Sequence, residues 1–306
     1  MDPNRPAVLI LGAGVAGMAA ARALENQNLL AHLVEKNPVP GGHAAQWACM
    51  ATDRCENCGA CLAFEAAAKV KKQDNVICHL GAELTGFQPQ GKQYEATLSN
   101  GQSLAVNKVI LATGFAPFDP GQIPSLHYPD SERIITTADL NRLLVRQDLD
   151  CLIGNCPNPK IGFIQCVGSR NRALGRDYCS QACCRISLRH AGKLAWLYPE
   201  ARLTLFHMDL QVTGKEIRTL FSSVQNQASL VQGVPGEIQV RKDGVAIVAE
   251  DYPSRSRKGV EFDLMVLSVG MEPASKAEQT NRLLSLSPNN WGFFNTTQIT
   301  LDRDVI

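Results

Sequence analysis

The segment "AVLILGAGVAGMAAARALENQNLLAHLVEK", residues 7–36, restricts the fold of this chain more than any other. Its short apolar run at 7–12 reads as a buried strand, "AGVAGMAAARALENQ" as a helix and "LLAHLVEK" as a second strand that reaches Glu35. That order is a β-α-β unit, and Gly12, Gly14 and Gly17 punctuate it as G-x-G-x-x-G. The first glycine makes the tight turn, the second lets backbone approach a pyrophosphate, and the third lets helix and strand pack closely. Glu35 and the adjoining Lys36 stand 18 and 19 residues past Gly17, where a carboxylate accepts hydrogen bonds from a ribose. A secretory leader would also begin with an Arg and an apolar run, but it has no use for this glycine pattern followed by an acid.

No other stretch approaches the ~18 uninterrupted apolar residues of a membrane span, so a cytoplasmic protein is expected. The balance of 30 basic against 29 acidic residues gives no electrostatic reason to expect nucleic acid or an anionic membrane. The one local basic run, "SRSRKG" at 254–259, reads as a solvated turn. With 306 residues, 45% of them hydrophobic, there is enough chain for one large or two moderate domains.

Downstream, the loop "NPVPGGHAAQW" supplies Gly41, Gly42, His43 and Gln46, and "NKVILATGFAP" is an apolar strand that ends in Thr113 and Gly114. Between them, "NVICHLGAELTGFQPQGKQYEATLSNGQSLAV" alternates as an antiparallel meander with turns at "PQGK" and "SNGQ". These features resemble the FAD-binding half of flavoproteins with two dinucleotide-binding domains, the thioredoxin-reductase-like type. The resemblance implies FAD, with Glu35 on the adenosine ribose and both the double glycine and the A-T-G strand end close to the cofactor. His43 and Gln46 are further candidates to touch the flavin.

Past a helix at "TTADLNRLLVRQ", a second β-α-β begins: strand "PKIGFIQ", helix "SQACCRISLRHAGKLAWL", strand "RLTLFHMDL". "FDLMVLSVGMEPA" then echoes "VILATGFAP", which points to a duplicated architecture. In a nucleotide-binding copy, the turn after the first strand would carry a second G-x-G-x-x-G. Here it reads "CVGSRN", with Gly168 the one glycine retained and cysteines where phosphate would dock. The expectation is an α/β chain of two Rossmann-like domains: FAD-binding at 1–150 with a β insertion at about 75–107, a modified domain at 151–275, and a return to the first domain at 276–306.

Four of the eleven cysteines, Cys166, Cys179, Cys183 and Cys184, are spaced C-x12-C-x3-C-C. On one continuous helix Cys179 and Cys183 would share a face, with Cys184 about 100° around. Buried structural thiols, a zinc site and a redox disulfide are the alternatives to a cluster. Zinc ligands usually come in closely spaced C-x2-C pairs, and thiolates at a helix N-terminus suit an iron-sulfur cluster. The pair "IQCVGSR" and "YCSQACC" resembles the flavin-proximal cluster motif found in the A subunits of heterodisulfide reductases and in their relatives from sulfur oxidisers and sulfate reducers. This resemblance runs from Val8 to about Ile306. It implies one [4Fe-4S] cluster on those four cysteines next to FAD. It also implies other heterodisulfide-reductase-like subunits or an electron carrier as partners, and Arg189 near where relatives place a basic residue against the flavin.

"CENCGACLAFE" holds Cys55, Cys58 and Cys61 as C-x2-C-x2-C, with Glu65 where a bacterial ferredoxin has its fourth cysteine. They are candidates for a second cluster, completed by Cys49, Cys78 or a partner, or for a thiol-disulfide pair. Cys151 and Cys156 read as ordinary loop or core residues. The expected function is an oxidoreductase subunit that relays electrons between flavin and iron-sulfur centres, without the extra ferredoxin domains that accompany bifurcation in relatives. Its rivals are an NAD(P)H-dependent flavin disulfide reductase and a non-catalytic iron-sulfur scaffold. Two further expectations concern assembly: "TTQITLDRDVI" begins a segment that a separate polypeptide completes at the FAD site, and a homodimer is an option.

Overall fold

The computed structural model describes residues 5–154, 156–251 and 256–295. In chain order the elements are β1 (Ala7–Leu11), α1 (Val15–Ala23), β2 (Leu30–Glu35), α2 (Ala60–Val70), β3 (Val76–Leu80), β4 (Leu84–Gln90), β5 (Gln93–Leu98), β6 (Ser103–Val106), β7 (Lys108–Leu111) and β8 (Phe115–Pro117). Then come β9 (Ile134–Thr136), α3 (Thr137–Arg146), α4 (Asp150–Ile153), β10 (Lys160–Val167), α5 (Cys183–Leu197), β11 (Arg202–His207), α6 (Lys215–Val224) and β12 (Ala228–Gln232). The last are β13 (Glu237–Val240), β14 (Val245–Asp251), β15 (Ser256–Phe262), β16 (Leu264–Val269), β17 (Met271–Pro273) and α7 (Ala277–Leu284).

The chain divides into two units. The first comprises residues 1–47, 59–116 and 273–306, and the second 48–58 and 117–272. The passage between them thus falls at 116 and not near 150, and β9, α3 and α4 belong with the second unit. The segment 48–58 also belongs there, which its sequence does not signal.

In the first unit the parallel order is β3-β2-β1-β7. Strand β1 is buried along its whole length and pairs with both β2 and β7, as an apolar run covered on two faces must. One face packs Val8, Ile10, Met18 and Leu33; the other packs Leu9, Leu11, Leu98 and Val106. The expected meander is shorter than the sequence implies. Its first strand, "VICHL", pairs in parallel with β2 and completes the nucleotide-binding sheet. Only β4, β5 and β6 form the antiparallel insertion.

The second unit repeats the plan. Its parallel order is β12-β11-β10-β16-β9, and an antiparallel β13-β14-β15 sheet is inserted before β16. Strands β10 and β16 are buried almost throughout. Helix α3 starts at a capping box in which Thr136 and Asp139 satisfy each other's backbone N–H groups. The basic run at 254–259 is not simply a turn, since β15 takes it up from Ser256 and pairs it with β14. Among the described residues no helix is long and apolar enough to cross a membrane.

Candidate functional site

In the first unit the glycines have the spatial reasons the sequence implies. Gly12 has φ +101°, and a Cβ there would lie 2.3 Å from the Ala112 carbonyl oxygen. A Cβ on Gly17 would lie 1.8 Å from the Gly12 carbonyl oxygen, so α1 docks on the turn only through a glycine. Around a Cβ on Gly14 there is nothing within 4 Å, which leaves the backbone open to a ligand. Helix α1 starts at Gly14 with no side-chain cap and no acid in its first turn, so its first N–H groups face outward unneutralised.

The double-glycine loop is stitched to this turn. Gly41 donates its N–H to the Ala13 carbonyl at 2.7 Å, and a Cβ on Gly42 would meet Gly14 Cα at 3.0 Å. His43 shares a hydrogen bond between Nε2 and the Phe115 carbonyl at 2.9 Å and stacks on the Phe115 ring at 4.7 Å. It thereby ties the loop to the backbone just past Gly114, itself in open space at φ +72°. Gln46 is exposed at the end of a 3-10 turn over Gly42–Gln46.

Glu35 is buried. One carboxylate oxygen accepts the Ala13 N–H at 2.9 Å; the other accepts the Asn37 N–H at 2.9 Å and its side-chain amide at 2.8 Å. These bonds fix the carboxylate and leave it further acceptor capacity. Beside it is a cavity of about 110 Å³ whose wall includes Gly12, Glu35, Lys36 and Thr113. The Thr113 Oγ1 is buried there without a partner. Ser275, Lys276 and Thr280 close the cavity from the start of α7, and Lys276 forms an ion pair with Glu83. Asn37 and this closing segment escaped the sequence reading, because neither belongs to a recognisable spacing. Residues 296–306, where a completing segment was expected to begin, lie outside the described residues.

In the second unit the region after β10 is built differently. A loop over 168–182 separates β10 from α5, where Gly12–Gly14 suffice in the first unit. Gly168, at φ +76°, is pressed against the Phe118 ring, 2.0 Å from where a Cβ would stand. Cys166 has φ +62° at an irregularity in the pairing of β10 with β16, and that left-handed residue turns the thiol out of the strand's alternation. Cys166, Cys183 and Cys184 form one buried group with Leu210 packed on it. Cys179 is half-buried on the loop, its sulfur accepting the Gln181 N–H at 3.4 Å. The expected shared helical face for Cys179 and Cys183 is therefore incorrect. Gln181 is left-handed at φ +55°, and Ser180 Oγ accepts the Met271 N–H at 2.8 Å, so the helix starts only at Cys183.

The three buried thiols form a hydrogen-bonded chain. The bond from Cys183 holds the Cys166 thiol below its ordinary range, against the opposing effect of burial. Cys183, as donor to Cys166, is pushed up to about 11, and Cys184, as donor to Cys183 and buried, is raised further. Among the described residues no three His, Cys, Asp or Glu side chains are placed to hold a metal ion. The donor set is nonetheless all sulfur, at a helix N-terminus with no side-chain cap and no acid in its first turn. That chemistry fits an iron-sulfur cluster.

Of the second cysteine group, Cys55 and Cys58 are in the second unit, whereas Cys61 belongs to α2 in the first. Cys49 and Cys78 are both exposed, Cys78 on β3. Cys151 is exposed on α4, and Cys156 is half-buried. Arg189, on α5, donates through Nη2 to the Asn57 carbonyl at 3.4 Å. Lys193, one turn later, donates to the Ala51 carbonyl, and the Asn141 side chain accepts the Ala48 N–H at 2.9 Å. The segment that carries Cys49, Cys55 and Cys58 is thus pinned to α5 and α3, an anchoring with no signature in the sequence.

Comparison with known proteins places these features in a class. Residues 6–154 match the family of pyridine nucleotide-disulphide oxidoreductases. The chain is 28% identical over 250 residues to the A subunit of the ferredoxin:CoB-CoM heterodisulfide reductase from Methanosarcina mazei, covering 79% of this chain and 28% of that protein. It is 32% identical over 202 residues to an iron-sulfur A subunit of the CoB–CoM heterodisulfide reductase from Methanopyrus kandleri, covering 62% of this chain and 30% of that one. The chain therefore spans less than a third of the length of these relatives. Among solved structures, thioredoxin reductase from Lactococcus lactis superposes with a TM-score of 0.61 at 18% identity, over 96% of this chain and 85% of that one. The fold is that of the thioredoxin-reductase-like flavoproteins, and the relatives are oxidoreductases.

Proposed function

We propose that this chain, related in sequence to the A subunits of heterodisulfide reductases, is an oxidoreductase subunit. In this reading its first unit binds FAD, and its second holds a [4Fe-4S] cluster on Cys166, Cys179, Cys183 and Cys184. The observation that carries the reading is the replacement at the end of β10. Where the first unit has a glycine turn, the second has a longer loop that carries Cys179, with buried Cys166 near the end of the strand before it and buried Cys183 and Cys184 at the start of the helix after it.

When bound, the flavin supplies two-electron and one-electron chemistry, and the cluster a one-electron path. The chain's own residues do the rest. Glu35 holds the ribose hydroxyls, the open backbone at Gly14 and the head of α1 receive the pyrophosphate, and Thr113 offers its unpaired hydroxyl to the ligand. The His43–Phe115 stack keeps the double-glycine loop against the strand end. The four cysteines would give up their protons on binding iron, so loading would release protons and be favoured by rising pH. Arg189, a candidate flavin neighbour, is oriented by the Asn57 carbonyl.

The partner in this reading is another subunit or an electron carrier, of the kind that the names of the relatives imply, to which the bound groups would pass electrons. A nicotinamide route is disfavoured by the loop over 168–182, which lacks the G-x-G-x-x-G turn that would cradle a pyrophosphate. Cys55, Cys58 and Cys61 are proposed as ligands of a second cluster.

The test is anaerobic purification with flavin and iron analysis. Flavin bands with a broad iron-sulfur shoulder, and loss of iron and of the reduced-state EPR signal in Cys184→Ala, are expected. Unchanged iron and an unchanged signal in that variant would remove the cluster assignment.

A further inference from the structure

A second cavity, of about 400 Å³, lies within the second unit between the segment 50–56 and helices α5 and α6. None of the cysteines assigned to the first cluster lines it, and its size falls within the range of small-molecule sites. Its apolar surface comes from Met50, Trp196 and Leu220. Its polar groups are unevenly matched. Arg54 is paired with Glu56 at 2.9 Å, and Asp53 accepts the Thr52 hydroxyl at 2.9 Å. Arg189 and Lys193 also line the cavity, one turn apart on the same face of α5, and no carboxylate pairs with either among the described residues. The Arg189 Nε is buried with no partner at all, and Lys193 is 4.4 Å from the centre of the Trp196 ring. A buried guanidinium N–H without an acceptor is costly unless something supplies one.

We infer that this cavity binds a small organic carboxylate, its anionic head between Arg189 and Lys193 and its apolar body against Trp196, Met50 and Leu220. Two cations a helical turn apart span a carboxylate, and the guanidinium offers it a forked pair of donors. Trp196 is 48% exposed, which leaves ring surface for the ligand beside the Lys193 ammonium. The segment that forms one wall of the site, residues 50–56, carries Cys55. The same cations donate to the Ala51 and Asn57 carbonyls along this stretch, so an occupied cavity would clamp the segment that carries Cys55 against α5.

The experiment uses the 306-residue chain with Trp47→Phe and Trp291→Phe, leaving Trp196 as the sole indole. Sodium benzoate is the probe, and benzyl alcohol is the neutral control at matched ionic strength. Benzoate should change Trp196 fluorescence saturably, with half-saturation at or below about 1 mM, and benzyl alcohol should not. Arg189→Gln and Lys193→Gln should each weaken benzoate by about tenfold. Ser223→Phe, which fills the cavity from α6 while keeping both cations, should abolish the response. A response as strong to benzyl alcohol, or benzoate binding undiminished in Ser223→Phe or in both cation variants, overturns the assignment, as does a linear, unsaturable change.

Discussion

Helix α5 carries Cys183 and Cys184 at its start and His190 on its buried face, so the protonation of that histidine bears on whether the cysteine site survives acid. His190 is fully buried, its Nδ1 has no partner, and burial lowers its pKa from 6.5 to about 4. The folded state therefore keeps the ring neutral at a pH where the unfolded chain already binds a proton. Stability from this group is complete above about pH 6.5 and is lost as pH falls towards 4. Linkage over that window gives a loss of about 2 kcal/mol between pH 7 and 5, and about 3 kcal/mol by pH 4. His190→Leu replaces the ring with an apolar side chain and removes the orphan nitrogen, so it should be near-neutral at pH 7. The assay is urea unfolding at pH 7 and pH 5, followed by Trp196 fluorescence with Trp47 and Trp291 replaced by Phe. The parent should lose about 2 kcal/mol more than the variant between the two pH values. An equal loss in both proteins would mean that the folded state protonates His190 without penalty, and the burial argument would be wrong. His32 in the first unit, lowered to about 4 by burial and by His79 beside it, should add an acid limb that His190→Leu leaves untouched.

Other perturbations separate the readings. Gly17→Ala places a methyl 1.8 Å from the Gly12 carbonyl oxygen and should cost both FAD and thermal stability; Gly14→Ala meets no protein atom and should cost FAD alone, as absorbance and melting curves of the apoprotein would show. Anaerobic mixing with NADH or NADPH should not bleach the flavin within the mixing time, and stoichiometric bleaching would restore the disulfide-reductase alternative. Cys58→Ser should lower iron beyond a single four-iron centre; a wild-type content of only about four irons per chain would dismiss the second cluster.

What was legible in the sequence was whatever a short spacing dictates on its own. Gly12, Gly14, Gly17 and Glu35 are within one β-α-β unit, where Gly12 and Gly17 make the close approaches their positions imply and Glu35 is held at the turn by the Ala13 N–H. The order of Cys166, Cys179, Cys183 and Cys184 pointed to a thiol site, and the structure brings Cys166, Cys183 and Cys184 into one buried group while Cys179 stays half-buried on the loop. The site's geometry was not legible, because the helix start depends on Ser180 meeting Met271, far away in sequence. The misplacement of β3 has a similar cause. "VICHL" alternates enough to suit a meander, and only its register beside β2 assigns it to the parallel sheet. The anchoring of 48–58 by Asn141, Arg189 and Lys193 involves residues about 90 to 140 positions away, with no periodicity to reveal them.

The two units run one plan twice: a parallel sheet, an antiparallel three-stranded insertion, and a helix that follows a buried central strand, closely for α1 and after the loop over 168–182 for α5. The helices at that position, α1 and α5, share a telling feature. Each begins without a side-chain cap and without an acid in its first turn. Both helix ends therefore keep their positive potential available to whatever stands before them. Before α1 that is an open glycine backbone, shaped for a diphosphate. Before α5 the buried strand carries Cys166 near its end, and the helix itself opens on Cys183 and Cys184, the thiols to which the proposed function gives a cluster. On this view the duplicated fold did not need a new electrostatic device to exchange a nucleotide for a cluster. Under the proposed function it kept the helix end and changed the loop, and the residues that changed would decide whether the second unit handles hydride or single electrons.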